Sequence, residues 1–220
     1  MSNQHRLLVF FITLILLLVG ALVAHAQSSA VAPGRTLSLA SAATSDQPGS
    51  VLIFSYYASG RNTVGIEDTE ISFTNTHHEE TVGLRLYVVN AQTHAINHKD
   101  FCLPPNQTNR LMASSLSAGA SGYILASAID AAGRPVGANY LLGGANFKFK
   151  SGQTVHLPAI AVPALFFGTF PGSTRGGRAY LQFDGNQYGT LPHAVAAGDI
   201  PSPADGSSAL LILNRIGGDY

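Results

Sequence analysis

Between Thr81 and Asn90 apolar residues recur at every second position, with Val82, Leu84, Leu86 and Val88 on one side and Arg85 and Tyr87 on the other. Side chains of an extended strand point alternately to its two faces, so this rhythm buries one face and does not suit a helix. Glu70 to Thr76 repeats the pattern, Ile71 and Phe73 opposing Ser72 and Thr74, and the polar His77-His78-Glu79-Glu80 stretch between the two reads as a loop. Val51 to Tyr57, Asp100 to Leu103, Asn109 to Ser114 and Val136 to Leu142 are further short runs. Pro104-Pro105 stops one of them, and Asp130-Ala131-Ala132-Gly133 has the composition of a tight turn. Tyr123 to Ile129 is apolar on both faces, as a central strand is. Roughly seven short strands in about 100 residues predict an all-β, antiparallel sandwich of immunoglobulin-like architecture. The chain has one cysteine and no tryptophan. The Cys…Trp…Cys core of antibody domains is therefore absent, and the expectation concerns architecture only.

Four regions are expected. His5 and Arg6 lead into an apolar run from Leu7 to Val23, followed by Ala24-His25-Ala26. A basic start, an apolar middle and small residues at the cleavage positions describe a secretory signal peptide over 1–26. An uncleaved anchor is the alternative, because the run nears the length that spans a bilayer. Lipid attachment at the cleavage point is excluded, since the single cysteine is Cys102. Residues 27–47, rich in Ala, Ser and Thr, read as a flexible linker. The sandwich is expected over 48–150. After Lys150 the runs are broken by Pro158 and Pro163, and Gly168, Gly172, Gly176 and Gly177 surround Arg175 and Arg178. Tyr180 to Phe183 reads as a hairpin arm turning at Asp184-Gly185, Ala194 to Ala197 as a helical turn, and Ala209 to Leu213 as a last strand. The expectation for 151–220 is a loop-rich β segment, either a truncated second domain or one that pairs back into the sandwich.

Ile71-Ser-Phe-Thr-Asn-Thr76, Pro105-Asn-Gln-Thr108 and Gly122-Tyr-Ile-Leu-Ala126 with Asp130 resemble stretches of uncharacterised exported bacterial β-sandwich proteins. Leu213-Asn-Arg-Ile-Gly-Gly-Asp219 is similar to a segment those proteins continue beyond. The resemblance implies an envelope or secreted setting and truncation near Tyr220. It brings no activity with it.

Few groups point to chemistry. His94 and His98, with Asp100, are ligand types that suit zinc, but spacing of four aligns side chains only on a helix and the segment reads as loop or strand. They are the candidate metal residues, and solvated loop histidines are the plainer reading of them and of His77 and His78. Ser121 lacks the glycine pattern of a nucleophile elbow, Glu79 and Glu80 are neighbours in a loop, and Asp184-Gly185-Asn186 lacks the rest of a calcium loop. Asn106-Gln107-Thr108 is explained as turn chemistry after two prolines. Cys102, between Phe101 and Leu103, is expected to be buried, with an intermolecular disulfide as the alternative. Tyr56, Tyr57, Tyr87 and Tyr123, with Tyr140, are the candidate binding residues, because outward-facing aromatics stack on sugars or anchor partners.

Twelve Lys and Arg balance twelve Asp and Glu, which leaves no basic face to neutralise phosphates and argues against a nucleic-acid partner. Charged residues make up 11% of the chain, well below the usual quarter, so mutual repulsion at a surface or in an assembly is weak. No cofactor is expected. The leading expectation is a non-enzymatic secreted or envelope module that binds a surface glycan or envelope protein. A metal-assisted hydrolase and a structural subunit assembling through edge strands are the alternatives.

Overall fold

The computed structural model describes residues 43–60, 65–170, 172–191, 212, 214 and 216–220. The expected signal peptide, most of the linker, the turn at 194–197 and most of the strand at 209–213 lie outside them. Among the described residues no helix is long and apolar enough to cross a membrane, a statement that does not bear on barrels of strands.

Up to Val162 the chain forms ten strands, nine of which build two antiparallel sheets. In chain order they are β1 (Val51–Ala58), β2 (Ile66–Asn75), β3 (Val82–Asn90), β4 (Ile96–Leu103), β5 (Thr108–Met112), β6 (Ser121–Ile129), β7 (Val136–Gly137), β8 (Leu141–Phe149), β9 (Thr154–Pro158) and β10 (Ile160–Val162). The first sheet runs β10-β1-β6-β3-β4 and the second β5-β2-β8-β9, with β7 outside both. The expected antiparallel sandwich is what forms. Its five and four strands exceed the four and three of a constant immunoglobulin domain, so what the two share is the two-sheet architecture.

The alternating strands bury the side the sequence marks. Leu84 and Leu86 of β3 and Ile71 and Phe73 of β2 are fully buried between the sheets, joined there by Leu52, Phe54, Ile124, Leu141 and Phe147. Each such side chain contributes about 1.5–3 kcal/mol by leaving water. The doubly apolar β6 sits between β1 and β3, as a central strand should.

Three elements escape the sequence pattern. Gly143 and Gly144 weaken the look of a strand, yet both lie inside β8. A Cβ on Gly143 would come within 2.7 Å of the Ser72 carbonyl oxygen and 2.9 Å of the Leu52 side chain, so the close contact there needs glycine. β8 then turns through Gly152 into β9, Pro158 ends β9, and the chain crosses at Ala159 to add β10 beside β1. The sandwich therefore runs to Val162, past the boundary expected at Lys150. On the opposite flank the chain crosses between sheets at Pro104–Gln107, where the buried Asn75 side chain donates to the carbonyls of Glu80, Leu103 and Pro104 at 2.7, 3.0 and 3.2 Å. Asn106 takes a left-handed backbone there (φ 54°), and the Gln107 N–H closes the turn onto Pro104, as the turn reading expects.

Beyond Val162 the chain folds over the outer side of the first sheet. β11 (Gly168–Thr169) pairs with β7, and β12 (Thr174–Arg175), β13 (Arg178–Leu181) and β14 (Gly218–Asp219) form a small three-stranded sheet. The β12–β13 hairpin turns at Gly176-Gly177, both with positive φ (57° and 78°), the two-residue turn that matches strand twist. The hairpin turn expected at Asp184-Gly185 is instead a local one, with the Gly185 N–H donating to the Tyr188 carbonyl. Phe170, Leu181, Phe183 and Tyr188 of this third layer pack on Val51, Ile53, Leu125 and Val162. Asn139, almost fully buried, anchors the layer where it departs: its side chain accepts from the Ser50 hydroxyl and the Ala164 N–H and donates to the Ala164 carbonyl.

Gly122, in β6, pairs with Tyr57 on one side and Asn90 on the other. A Cβ there would stand 1.9 Å from the Val89 carbonyl oxygen, which belongs to the backbone and has no room to yield. Gly122→Ala is expected to cost about 2–3 kcal/mol of stability in urea unfolding. Wild-type stability would mean that β6 and β3 are not paired in this register.

Candidate functional site

Because β3 turns Leu84, Leu86 and Val88 inward, Arg85, Tyr87 and Val89 face outward, and their partners across the ladder are Asp100, His98 and Ile96 of β4. Arg85 and Asp100 form a two-pronged pair, Nε to Oδ1 at 2.6 Å and Nη2 to Oδ2 at 2.7 Å, while Nη1 donates to the Gly133 carbonyl at 3.1 Å. The guanidinium beside Asp100 holds its carboxyl below the usual value, and Asp100 in turn raises the Arg85 guanidinium. The β3–β4 connection is rigid for a local reason. The Asn90 side-chain oxygen accepts the N–H groups of Gln92 and Thr93 at 2.8 and 3.1 Å, and the His94 N–H closes on the Asn90 carbonyl. His94 is left with a left-handed backbone (φ 57°), a conformation histidine tolerates better than most residues.

Among the described residues, the third layer covers β1, β6 and part of β3 and reaches no further. Tyr220 packs on Tyr87 with ring centroids 5.6 Å apart, and β13 runs past at Arg178 and Ala179. Between that edge and β4 lies an open cleft of about 430 Å³. Arg85, Tyr87, His94, His98, Arg178 and Tyr220 supply its polar and aromatic lining. Among the described residues, the side chains of His94, His98 and Arg178 make no hydrogen bond and no ion pair. Tyr87 is buried, and its hydroxyl has no hydrogen bond of normal geometry among the described residues. Burial pushes its pKa up, and nearby Arg85 partly offsets that. Burial likewise pushes the phenols of Tyr188 and Tyr220 up.

Of the candidate tyrosines, Tyr57, Tyr87 and Tyr140 are buried, and Tyr56 and Tyr123 are half-buried. Tyr57 is fully buried: the ladder of β1 slips between Phe54 and Tyr57, and the bulge turns Tyr57 into the core. Tyr87 does face outward, but the third layer covers it. Tyr56 is half-buried and stacks on Phe147 at 6.2 Å, Tyr123 packs half-buried against the third layer, and Tyr140 is buried beneath the His77 ring at 4.3 Å. The candidate metal residues are only partly brought together. His94 and His98 share the cleft, whereas Asp100 commits both oxygens to Arg85. Among the described residues no three His, Cys, Asp or Glu side chains group closely enough to hold a metal ion.

Other singled-out residues have local roles. His77 Nδ1 accepts the N–H groups of Glu79 and Glu80, Ser121 opens β6 opposite Ala58, and the Asp184 side chain binds Asn186. Cys102 is a correction: it is exposed. In the two-residue rhythm of β4 the buried position is Leu103, with Phe101 half-covered, so Cys102 between them faces outward. Arg178 was missed as a site residue. It lies far from His94 in sequence, in a glycine-rich stretch with no period, and only the hairpin over β3 brings the two together. A larger cleft of about 510 Å³ over β1 is lined mainly by apolar residues, among them Ile53, Leu181, Phe183 and Ile216.

No protein-family model and no curated protein matches the chain. A solved structure described as "Crystal Structure of Thermotoga maritima 1070" is similar at 11% identity and a TM-score of 0.38, over 51% of this chain and 92% of that one.

Two measurements check this geometry. The Asp100 pair stabilises the fold above the carboxyl's ordinary value of 3.8 and loses that contribution as pH falls through the depressed folded value. Asp100→Asn is expected to lower stability at pH 7 by about 0.5 kcal/mol, as partly exposed pairs do, with the difference from wild type shrinking in acid. An equal difference at pH 7 and pH 2 would contradict the ion pair. Cys102 in the folded protein is expected to react with a thiol reagent about as fast as it does in denaturant. Strong protection in the folded state would contradict its exposure.

Proposed function

We propose that the chain is a non-enzymatic β-sandwich module of immunoglobulin-like kind, exported to the envelope or beyond it, whose work is binding or adhesion. The cleft between β4 and the β12–β13 hairpin is its contact site, and a surface glycan or envelope protein is its partner. One observation carries the reading: three basic side chains, His94, His98 and Arg178, which make no hydrogen bond or ion pair among the described residues, stand on regular strands and a locked turn around a single open cleft. Strands and tight turns hold such groups in place at little entropic cost on binding. The basic start, apolar run and A-x-A site at the N-terminus support export.

The hydrolase alternative has less support, because Asp100 is engaged by Arg85 and offers no free base or ligand to the histidines. Assembly through edge strands has a candidate in β4, the last strand of its sheet, yet His98, Lys99 and Asp100 put charge and polarity along it, as edges that avoid pairing do.

Screening the purified chain against a glycan panel and envelope fractions, with generic ester, peptide and glycoside substrates alongside, tests the proposal. Retention without turnover is expected. Turnover of any of these substrates, with nothing retained, would overturn it.

A further inference from the structure

Resting on that binding reading, we infer that the cleft between β4 and the β12–β13 hairpin is a subsite for an anionic sugar, a ring bearing a carboxylate or a sulfate ester. Charge is the first reason. Among the described residues no Asp or Glu lines the cleft. The nearest carboxylate on β4, Asp100, is neutralised by Arg85, which spends its remaining prong on Gly133. Asp219, on β14 beside β13, is exposed and pairs its backbone with Tyr180. Arg178 is left as a cation with no counter-ion among the described residues, and a planar guanidinium fork fits the paired oxygens of a carboxylate or sulfate.

Donor geometry is the second reason. His98 projects from the outer face of β4 and His94 from the adjoining turn, so imidazole N–H groups approach from one wall and the guanidinium from the other. A ring held between them meets apolar surface as well, from Ile96, which is 39% exposed, and from Ala95 and Ala179. That mixture suits the C–H face of a sugar, and about 430 Å³ is room for one or two rings rather than for a bare ion. A nucleic acid would need a run of basic groups along its backbone, and a chain with balanced charges offers one isolated cleft instead.

The test immobilises polygalacturonate, dextran sulfate and neutral dextran and measures retention of the full chain at about 50 mM and about 500 mM salt. Retention on at least one acidic polymer is expected to exceed that on neutral dextran by about tenfold, falling at high salt, and whichever acidic polymer is preferred identifies carboxylate or sulfate as the source. Arg178→Ala is expected to weaken retention about tenfold and His98→Ala about threefold, without loss of thermal stability, because neither side chain makes a hydrogen bond or ion pair among the described residues and the charge interaction of His98 with Asp100 is solvent-exposed. Arg110→Ala, which removes the same charge from β5 on the other sheet, is expected to leave retention unchanged. Equal retention on neutral dextran, or equal losses in Arg178→Ala and Arg110→Ala, would overturn the anionic subsite and leave the binding role standing. No retention on any of these polymers would also overturn it, and if the wider screen were silent too, the binding role would fall with it.

Discussion

The middle of the first sheet has no solvent side, and most of the molecule follows from that. β1 and β6 press Leu52, Phe54, Ile124 and Ala126 into the second sheet and Val51, Ile53 and Leu125 into the layer outside. A sheet buried on both faces must be apolar on both. Leaving Val51, Ile53 and Leu125 in water would cost about 1.5–3 kcal/mol each, so the chain beyond Val162 has to return over them. It does so with aromatic side chains from irregular segments, Phe170, Phe183 and Tyr188, whose rings meet edge to face or tilted. The candidate site is a by-product of the same arrangement. Among the described residues, the covering layer is smaller than the sheet beneath it, and where it gives out, beside β4, a cleft remains.

What the sequence disclosed follows the physics of one strand at a time. β2 and β3 were legible because each is half-buried, and half-burial writes itself as a two-residue period at Ile71 and Phe73, and at Leu84 and Leu86. β6 was legible for the opposite reason, since burial on both faces removes the period and leaves an apolar run. β8 was obscured by Gly143 and Gly144, whose lack of side chains answers to neighbours far along the chain, Leu52 and Ser72. β9 and β10 were obscured by Pro158, which ends one strand and starts the crossover to the next. The charge pair between Arg85 and Asp100 needed the pairing of β3 with β4 before it had any meaning.

The site was half legible. His94 and His98 attracted notice as ligand types, and the structure does bring them to one cleft, but without a third ligand and with Arg178 as their companion instead. Nothing local to Arg178 announces that role, because its position depends on a two-glycine turn landing over a strand from the other half of the chain. The tyrosines misled for a related reason. Tyrosine favours strands through its packing, and that packing absorbed Tyr57 and Tyr87 into two different layers.

The two crossovers bear on how the molecule breathes. β4 passes to β5 at the Asn75-braced corner on one flank, and β9 passes to β10 at Ala159 on the other, so each lateral seam is laced by the chain itself. An ordinary sandwich can gape along an unlaced side like a hinged shell. This one is nearer to a flattened tube, in which parting the sheets at either flank strains a continuous backbone. Its innermost amides, on β1, β3 and β6, then have no cheap local route to solvent and exchange only when the whole structure opens.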